Sequence, residues 1–227
     1  MFGSLGGMLL GLVVGVRHAF EPDHLTAVST LVTEARGARR GALLGAIWGL
    51  GHTIALIIVG AVLMVLGVVL PARVAAAFEC AVAIMLVGLG LRAIVVALRD
   101  GARGPTTTHR HGEVAHTHAG PVHVHVGGKA LSWRPLVIGL VHGLAGSGAL
   151  TALVFAELPG TATRLIYITL FGLGSVAGMA IASGLAGATI RQVASGARTR
   201  RRLGLATGAL SVVIGVIWAA PMVAILA

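Results

Sequence analysis

At 227 residues, with 56% of them hydrophobic, 11% charged and a mean hydropathy of +0.96, the chain carries more apolar surface than one soluble domain can bury. This excludes an ordinary soluble protein and specifies the all-α class of polytopic membrane protein, since lipid cannot satisfy an exposed backbone polar group. The net charge of +10 would suit a nucleic-acid partner only if it formed one basic surface; it falls instead on alternate connections between apolar stretches, so no nucleic-acid partner is expected.

Six stretches are apolar and long enough to span as helices, near 5–31, 42–70, 74–98, 135–156, 165–190 and 203–227. The first begins without a preceding basic residue and is followed by no small-residue cleavage site, so it is expected to be retained and not removed as a secretory signal. It contains Arg17-His18-Ala19-Phe20-Glu21-Pro22-Asp23-His24. Ionisable groups are costly in hydrocarbon and normally face a bundle interior, a wet cavity or one another. Pro22 has no amide hydrogen, so the His18 carbonyl would lose its helical partner and the span should break or kink. On an unbroken helix His18 and His24 would point about 120° apart, and His18 and Asp23 about 140°. A break removes that objection and makes His18, Asp23 and His24 joint candidates for a divalent-cation site.

The second stretch carries Gly41, Gly45 and Gly49 at four-residue spacing, which lets helix backbones approach closely, and then Gly51-His52-Thr53. His52 is the next candidate ligand, in a stretch from Gly41 to Leu70 that is otherwise free of charge. In the third, Glu79 and Arg92 are thirteen positions apart, about 20 Å along a helix, and cannot pair within it. Cys80 is the one cysteine, so an internal disulfide and a dithiol-transfer mechanism are both excluded within one chain.

Between the third and fourth stretches, residues 99–134 form a polar segment with His109, His111, His116, His118, His123 and His125 in three pairs spaced two apart. The segment has few large apolar residues and is not expected to fold alone. Histidine-rich tracts bind metal with little geometric selectivity, so it is read as an accessory metal-binding loop. Trp133 fits an interfacial anchor ahead of the fourth stretch, and His142 within that stretch is a further candidate ligand. Imidazole with carboxylate or carbonyl oxygen suits Ni²⁺, Co²⁺ or Zn²⁺, and thiolate chemistry for Cu⁺ is absent.

Arg36, Arg39 and Arg40 follow the first stretch, Arg99, Arg103, Arg110, Lys129 and Arg134 the third, and Arg191, Arg198, Arg200, Arg201 and Arg202 the fifth, against Arg73 and Arg164 on the other side. The positive-inside rule then predicts a multi-pass protein of the cytoplasmic membrane, with the histidine loop cytoplasmic and both termini outside. Gly15-Val16-Arg17-His18 is echoed by Gly139-Leu140-Val141-His142, and Gly49-Leu50-Gly51-His52 by Gly172-Leu173-Gly174-Ser175, at offsets of 124 and 123. Two matches in the same order predict a 3+3 inverted repeat: residues 1–98 form the first three-helix unit with the metal motif, 99–134 the loop, and 135–227 the second unit.

The motifs Arg17-His18-Ala19, Pro22-Asp23-His24 and Gly51-His52-Thr53 resemble the signature of the nickel/cobalt transporter superfamily, and His142-Gly143-Leu144-Ala145-Gly146-Ser147-Gly148 resembles its UreH-like branch. The resemblance implies metal-binding and selectivity roles for His18, Asp23 and His24, with Ni²⁺ or Co²⁺ as transported ion and no resident cofactor. A metallochaperone, or urease and hydrogenase accessory proteins, would be partners beside membrane lipid. The acidic motif that the eight-helix importers carry in later helices is absent here, and the histidine loop resembles that of the six-helix efflux branch, so direction stays open.

The expected function is a non-enzymatic permease working by alternating access. Two other readings remain at this stage: a membrane haem or electron-transfer protein with axial ligands among His18, His52 and His142, and a metal-binding membrane subunit of a larger transport system. An ATP-binding glycine-lysine motif is missing from the chain, so that system's ATPase would be a separate protein. An intramembrane serine protease built on Ser147 and His142 is disfavoured, because five residues along a helix turn the two side chains about 140° apart.

Overall fold

The structure is a computed structural model that describes residues 5–32, 37–100, 108–111, 114–117, 124–126, 129–131, 133–158, 160–194 and 196–226. Among the described residues seven helices make up the bundle: α1 (Leu5–His18), α2 (Pro22–Val32), α3 (Ala38–Leu66), α4 (Ala72–Asp100), α5 (Arg134–Glu157), α6 (Thr161–Val193) and α7 (Ala197–Leu226). Among the described residues four segments, Ala38–Leu66, Ala72–Arg99, Thr161–Val193 and Ala197–Leu226, are long and apolar enough to cross a membrane, and Leu9–His18 and Arg134–Ala145 are shorter apolar helices. The chain is a multi-pass all-α membrane protein.

The break expected at Pro22 is present. Proline opens α2, in the first helical position, where its missing N–H and fixed φ do no harm. In the turn before it, the Phe20 N–H donates to the Arg17 carbonyl (2.9 Å) and the Glu21 N–H to the His18 carbonyl (3.0 Å). The carbonyl that proline would have orphaned is thereby satisfied. Beyond the break, α2 buries Asp23, His24, Thr26, Ala27, Val28, Thr30 and Val32, and it packs against α7, α6, α4 and α3. The hydroxyls it carries inward are satisfied locally: Thr26 donates to the Pro22 carbonyl (2.6 Å) and Thr30 to that of Ala27 (2.8 Å).

Glycine sets how closely the helices approach, since lipid offers no hydrophobic force to press them together. A Cβ at Gly15 of α1 would overlap the Phe171 carbonyl of α6, and one at Gly139 of α5 would overlap the Trp48 carbonyl of α3. Gly174 of α6 lies in the same way on the Leu12 carbonyl of α1, and Gly51 of α3 on that of Leu136 in α5. Gly15 and Gly139 stand 124 positions apart, as do Leu12 and Leu136; Trp48 and Phe171 stand 123 apart, as do Gly51 and Gly174. The α1–α6 contact and the α3–α5 contact are thus built alike. The α3–α6 and α4–α7 packings complete the bundle.

The bundle's centre holds Ala19, Ala27, Val28, Trp48, Leu86 and Met179, all buried. Its outside is apolar too, with Leu43, Ile58, Ile84, Leu91, Ile181, Leu185, Val213 and Ile217 exposed along α3, α4, α6 and α7, the pattern of helices that face lipid. α3 ends at Gly67, whose left-handed φ of 63° lets its N–H reach the Leu63 and Met64 carbonyls. In the loop, Thr108–His111 pairs antiparallel with Val114–Thr117, and Val124–Val126 with Lys129–Leu131. These two-stranded hairpins are the departure from helix among the described residues, and each is too small to be stable unaided. His109 stands opposite His116 in the first register. His118, His123, Arg36 and Arg103 lie outside the described residues.

Candidate metal site

Four helix segments deliver five side chains to one place. His18 comes from the last turn of α1, Asp23 and His24 from the first turn of α2, His52 from α3 and His142 from α5. The break between α1 and α2 is what lets these groups converge, for the His18 and His24 ring centroids are 4.4 Å apart. His24 is the hub, with centroids 5.3 Å from His52 and 4.1 Å from His142. His18 lies 5.3 Å from His52. Glycine enables this convergence: Gly139 and Gly143 seat α5 against the backbone of α3 at Trp48 and His52, bringing His142 alongside.

Water has little access. His24 and His142 are 1% exposed and His52 has no exposed surface, whereas the His18 side chain is 15% exposed. Trp48 closes one side, 5.6 Å from both His24 and His142, and Phe171 stacks obliquely 5.3 Å from His18. The cluster therefore opens at its His18 edge.

One carboxylate organises two rings. Asp23 Oδ1 is 3.1 Å from His24 Nδ1 and Oδ2 is 2.8 Å from His142 Nε2. Its place at the α2 N-terminus adds a favourable dipole for a negative charge. Outside that pairing, His18 Nε2, His24 Nε2, both nitrogens of His52 and His142 Nδ1 are buried without a hydrogen-bond partner. An unsatisfied buried polar atom costs about 1–3 kcal/mol, so several in one spot are expensive for a fold to hold unless something binds there. Single ligand atoms from His18, His24 and His52 lie within 4.8 Å of one another, and those from Asp23, His24 and His142 do likewise. Either trio could hold a divalent ion after small side-chain rotations to bonds of about 2.0–2.1 Å.

All five intramembrane residues singled out in the sequence are thus assembled, including His142, whose neighbours in sequence provide only a hydroxyl; its carboxylate partner comes from α2. The side chains of the loop histidines, like that of Ser147, lie outside the described residues. Sequence reasoning passed over Glu21, whose Oε2 sits 3.0 Å from His18 Nδ1; its place three residues after a histidine was the available signal. It also passed over Ser175, which the internal match sets opposite His52 and which donates to the Gly15 carbonyl at 3.3 Å. Glu79 and Cys80 are not among the residues that converge there: Glu79 accepts the Trp218 indole N–H at 2.8 Å, tying α4 to α7, and Cys80 is half-buried.

No family model matches the chain, and no solved structure matches it. Among curated proteins, it is 33% identical over 210 residues to the urease accessory protein UreH of Bacillus sp. (strain TB-90), an alignment covering 92% of this chain and 88% of that one. The chain belongs to the UreH family. The alignment reaches across nearly the whole bundle, so membership does not rest on the histidine motif alone. In this UreH-family chain Asp23 and the buried histidines gather at one point where the α1–α2 break meets α3 and α5.

Proposed function

We propose that the protein is a permease for a divalent transition-metal ion, Ni²⁺ or Co²⁺, in the nickel/cobalt transporter superfamily, and that His18, Asp23, His24, His52 and His142 form its ion site. One observation carries the reading: buried, unpartnered imidazole nitrogens from separate helices point into a common space beside a carboxylate. An apolar filling would leave those nitrogens uncompensated, whereas a borderline metal ion satisfies them. The name of the relative places it in a urease context, and urease accessory work with a nickel supply is consistent with the imidazole-rich donor set.

Transport is by alternating access. Six spans, with α1 and α2 together forming the first, make two inverted three-helix repeats of residues 1–98 and 135–227. The matched glycine contacts of α1 on α6 and of α5 on α3 support that symmetry, and the broken helix at the bundle centre suits a transporter site. The arginine distribution supports a cytoplasmic-membrane protein with both termini outside and residues 99–134 in the cytoplasm. There the loop histidines gather or release the ion, and a metallochaperone or urease or hydrogenase accessory protein is the partner. Tracer flux of Ni²⁺, Co²⁺ and Zn²⁺ through proteoliposomes, assayed in both directions, tests substrate and direction together; absence of flux for every ion would refute the permease reading.

A further inference from the structure

The first-span histidines share an arrangement that the choice of five site residues leaves unexplained. His18 and His24 each turn Nδ1 toward a carboxylate on the same turn of chain: His18 Nδ1 lies 3.0 Å from Glu21 Oε2, and His24 Nδ1 lies 3.1 Å from Asp23 Oδ1. Both leave Nε2 buried and unpartnered. Resting on the reading of this cluster as a metal site, we propose that the ion is seated by three imidazoles, His18, His24 and His52, and that Glu21 and Asp23 are positioning residues that fix the first two rings from behind.

A carboxylate accepting the Nδ1–H of a histidine selects the tautomer with a free lone pair on Nε2, sets the ring plane and raises the ring's basicity as a ligand. The orphan atoms separate the two trios accordingly. Every member of the His18, His24 and His52 trio has a nitrogen with no partner, whereas Asp23 already accepts from both His24 and His142. Recruiting Asp23 as a direct ligand would put the ion on an oxygen that already holds an imidazole nitrogen and make the two share it, whereas the three imidazoles offer nitrogens that hold nothing else. His142 then completes Asp23 from the far side, which anchors the orienting carboxylate to α5.

Glu21 is the residue this reading adds. Its side chain is 53% exposed while that of His18 is 15% exposed, so it stands at the open edge of an otherwise closed cluster. A contact so accessible contributes little to stability, and its effect is on the direction of the His18 ring. Glutamine at this position keeps an oxygen able to accept Nδ1–H and discards the charge; alanine discards both. The pair of substitutions separates orientation from simple attraction of cations to the mouth.

The test uses the purified full-length chain in detergent, loaded with Co²⁺ alone and compared with the same chain carrying alanine at its six loop histidines so that loop-bound ion is subtracted, with affinity read by titration of the visible d–d bands and ligand type by X-ray absorption. Expected are a first shell containing three imidazoles and no protein carboxylate, retained in Asp23→Asn; a 10–100-fold weaker affinity in Glu21→Ala; and recovery to within a few-fold of wild type in Glu21→Gln. Wild-type affinity in Glu21→Ala, no recovery in Glu21→Gln, or loss of an oxygen ligand in Asp23→Asn would overturn the positioning roles while leaving the metal site standing. A wild-type chain that binds no Co²⁺ would overturn the metal site itself, and with it this proposal.

Discussion

The Nε2 atom of His142 lies 2.8 Å from Oδ2 of Asp23, joining α5 to the first turn of α2 across 119 positions of sequence. Both side chains are nearly inaccessible, at 2% and 11% exposure, so water cannot replace a lost partner. Substituting His142→Ala should therefore lower stability by about 1–3 kcal/mol, through a carboxylate oxygen left buried and unpaired. Thermal unfolding in detergent checks it. His142→Gln, whose amide can donate to the same oxygen, should recover part of the loss, and an alanine variant melting with wild type would contradict the link.

Gly139 and Gly88 make opposite predictions from the same substitution. A methyl group at Gly139 would overlap the Trp48 carbonyl, and neither helix backbone can yield cheaply, so Gly139→Ala should reduce the yield of monodisperse protein on size exclusion. At Gly88 a Cβ meets nothing within 4 Å. There alanine should be neutral or stabilising by up to about 1 kcal/mol through helix propensity.

Trp218 and Glu79 tie α4 to α7 through a 2.8 Å indole-to-carboxyl hydrogen bond. Trp218→Phe keeps the aromatic bulk and removes the donor, so a loss of about 0.6–1 kcal/mol is expected, the usual scale for a polar contact between membrane helices. The melting temperature of the variant against wild type reads it, with ion binding unchanged because neither residue belongs to the imidazole cluster.

Deleting residues 109–125 removes all six loop histidines and should alter the rate of ion flux without abolishing it, since the tract offers unselective ligands outside the bundle. Flux in proteoliposomes at low and high ion concentration is the check, with the larger effect expected at low concentration.

How much of this was readable in the sequence follows from which forces are local. The break at Pro22 was, because a missing amide hydrogen acts within one turn, and it explains how His18 and His24 come to face each other. Helix ends were less so. The expected stretches 42–70 and 203–227 became Ala38–Leu66 and Ala197–Leu226, because hydropathy reports the thickness of lipid while arginine is a good helix former that carries a helix past it. Arg39, Arg40, Arg198 and Arg200 all lie inside helices. The pairing of His142 with Asp23 was not readable, since it depends on how closely Gly139 lets α5 settle on α3, a tertiary fact. Glu21 was visible as a charge but not as a partner, because the turn that brings it back to His18 is created by the proline after it.

The imidazole cluster is proposed to bind an ion in transit. His52 isolates that role, being fully buried with neither ring nitrogen hydrogen-bonded, so His52→Leu preserves bulk and removes only the imidazole nitrogens. Radiotracer Ni²⁺ and Co²⁺ flux should be measured in proteoliposomes holding equal amounts of folded wild type and His52→Leu. Wild type should carry at least one ion and the variant should show only the leak of empty liposomes; equal flux through both would rule out a transport role for the cluster.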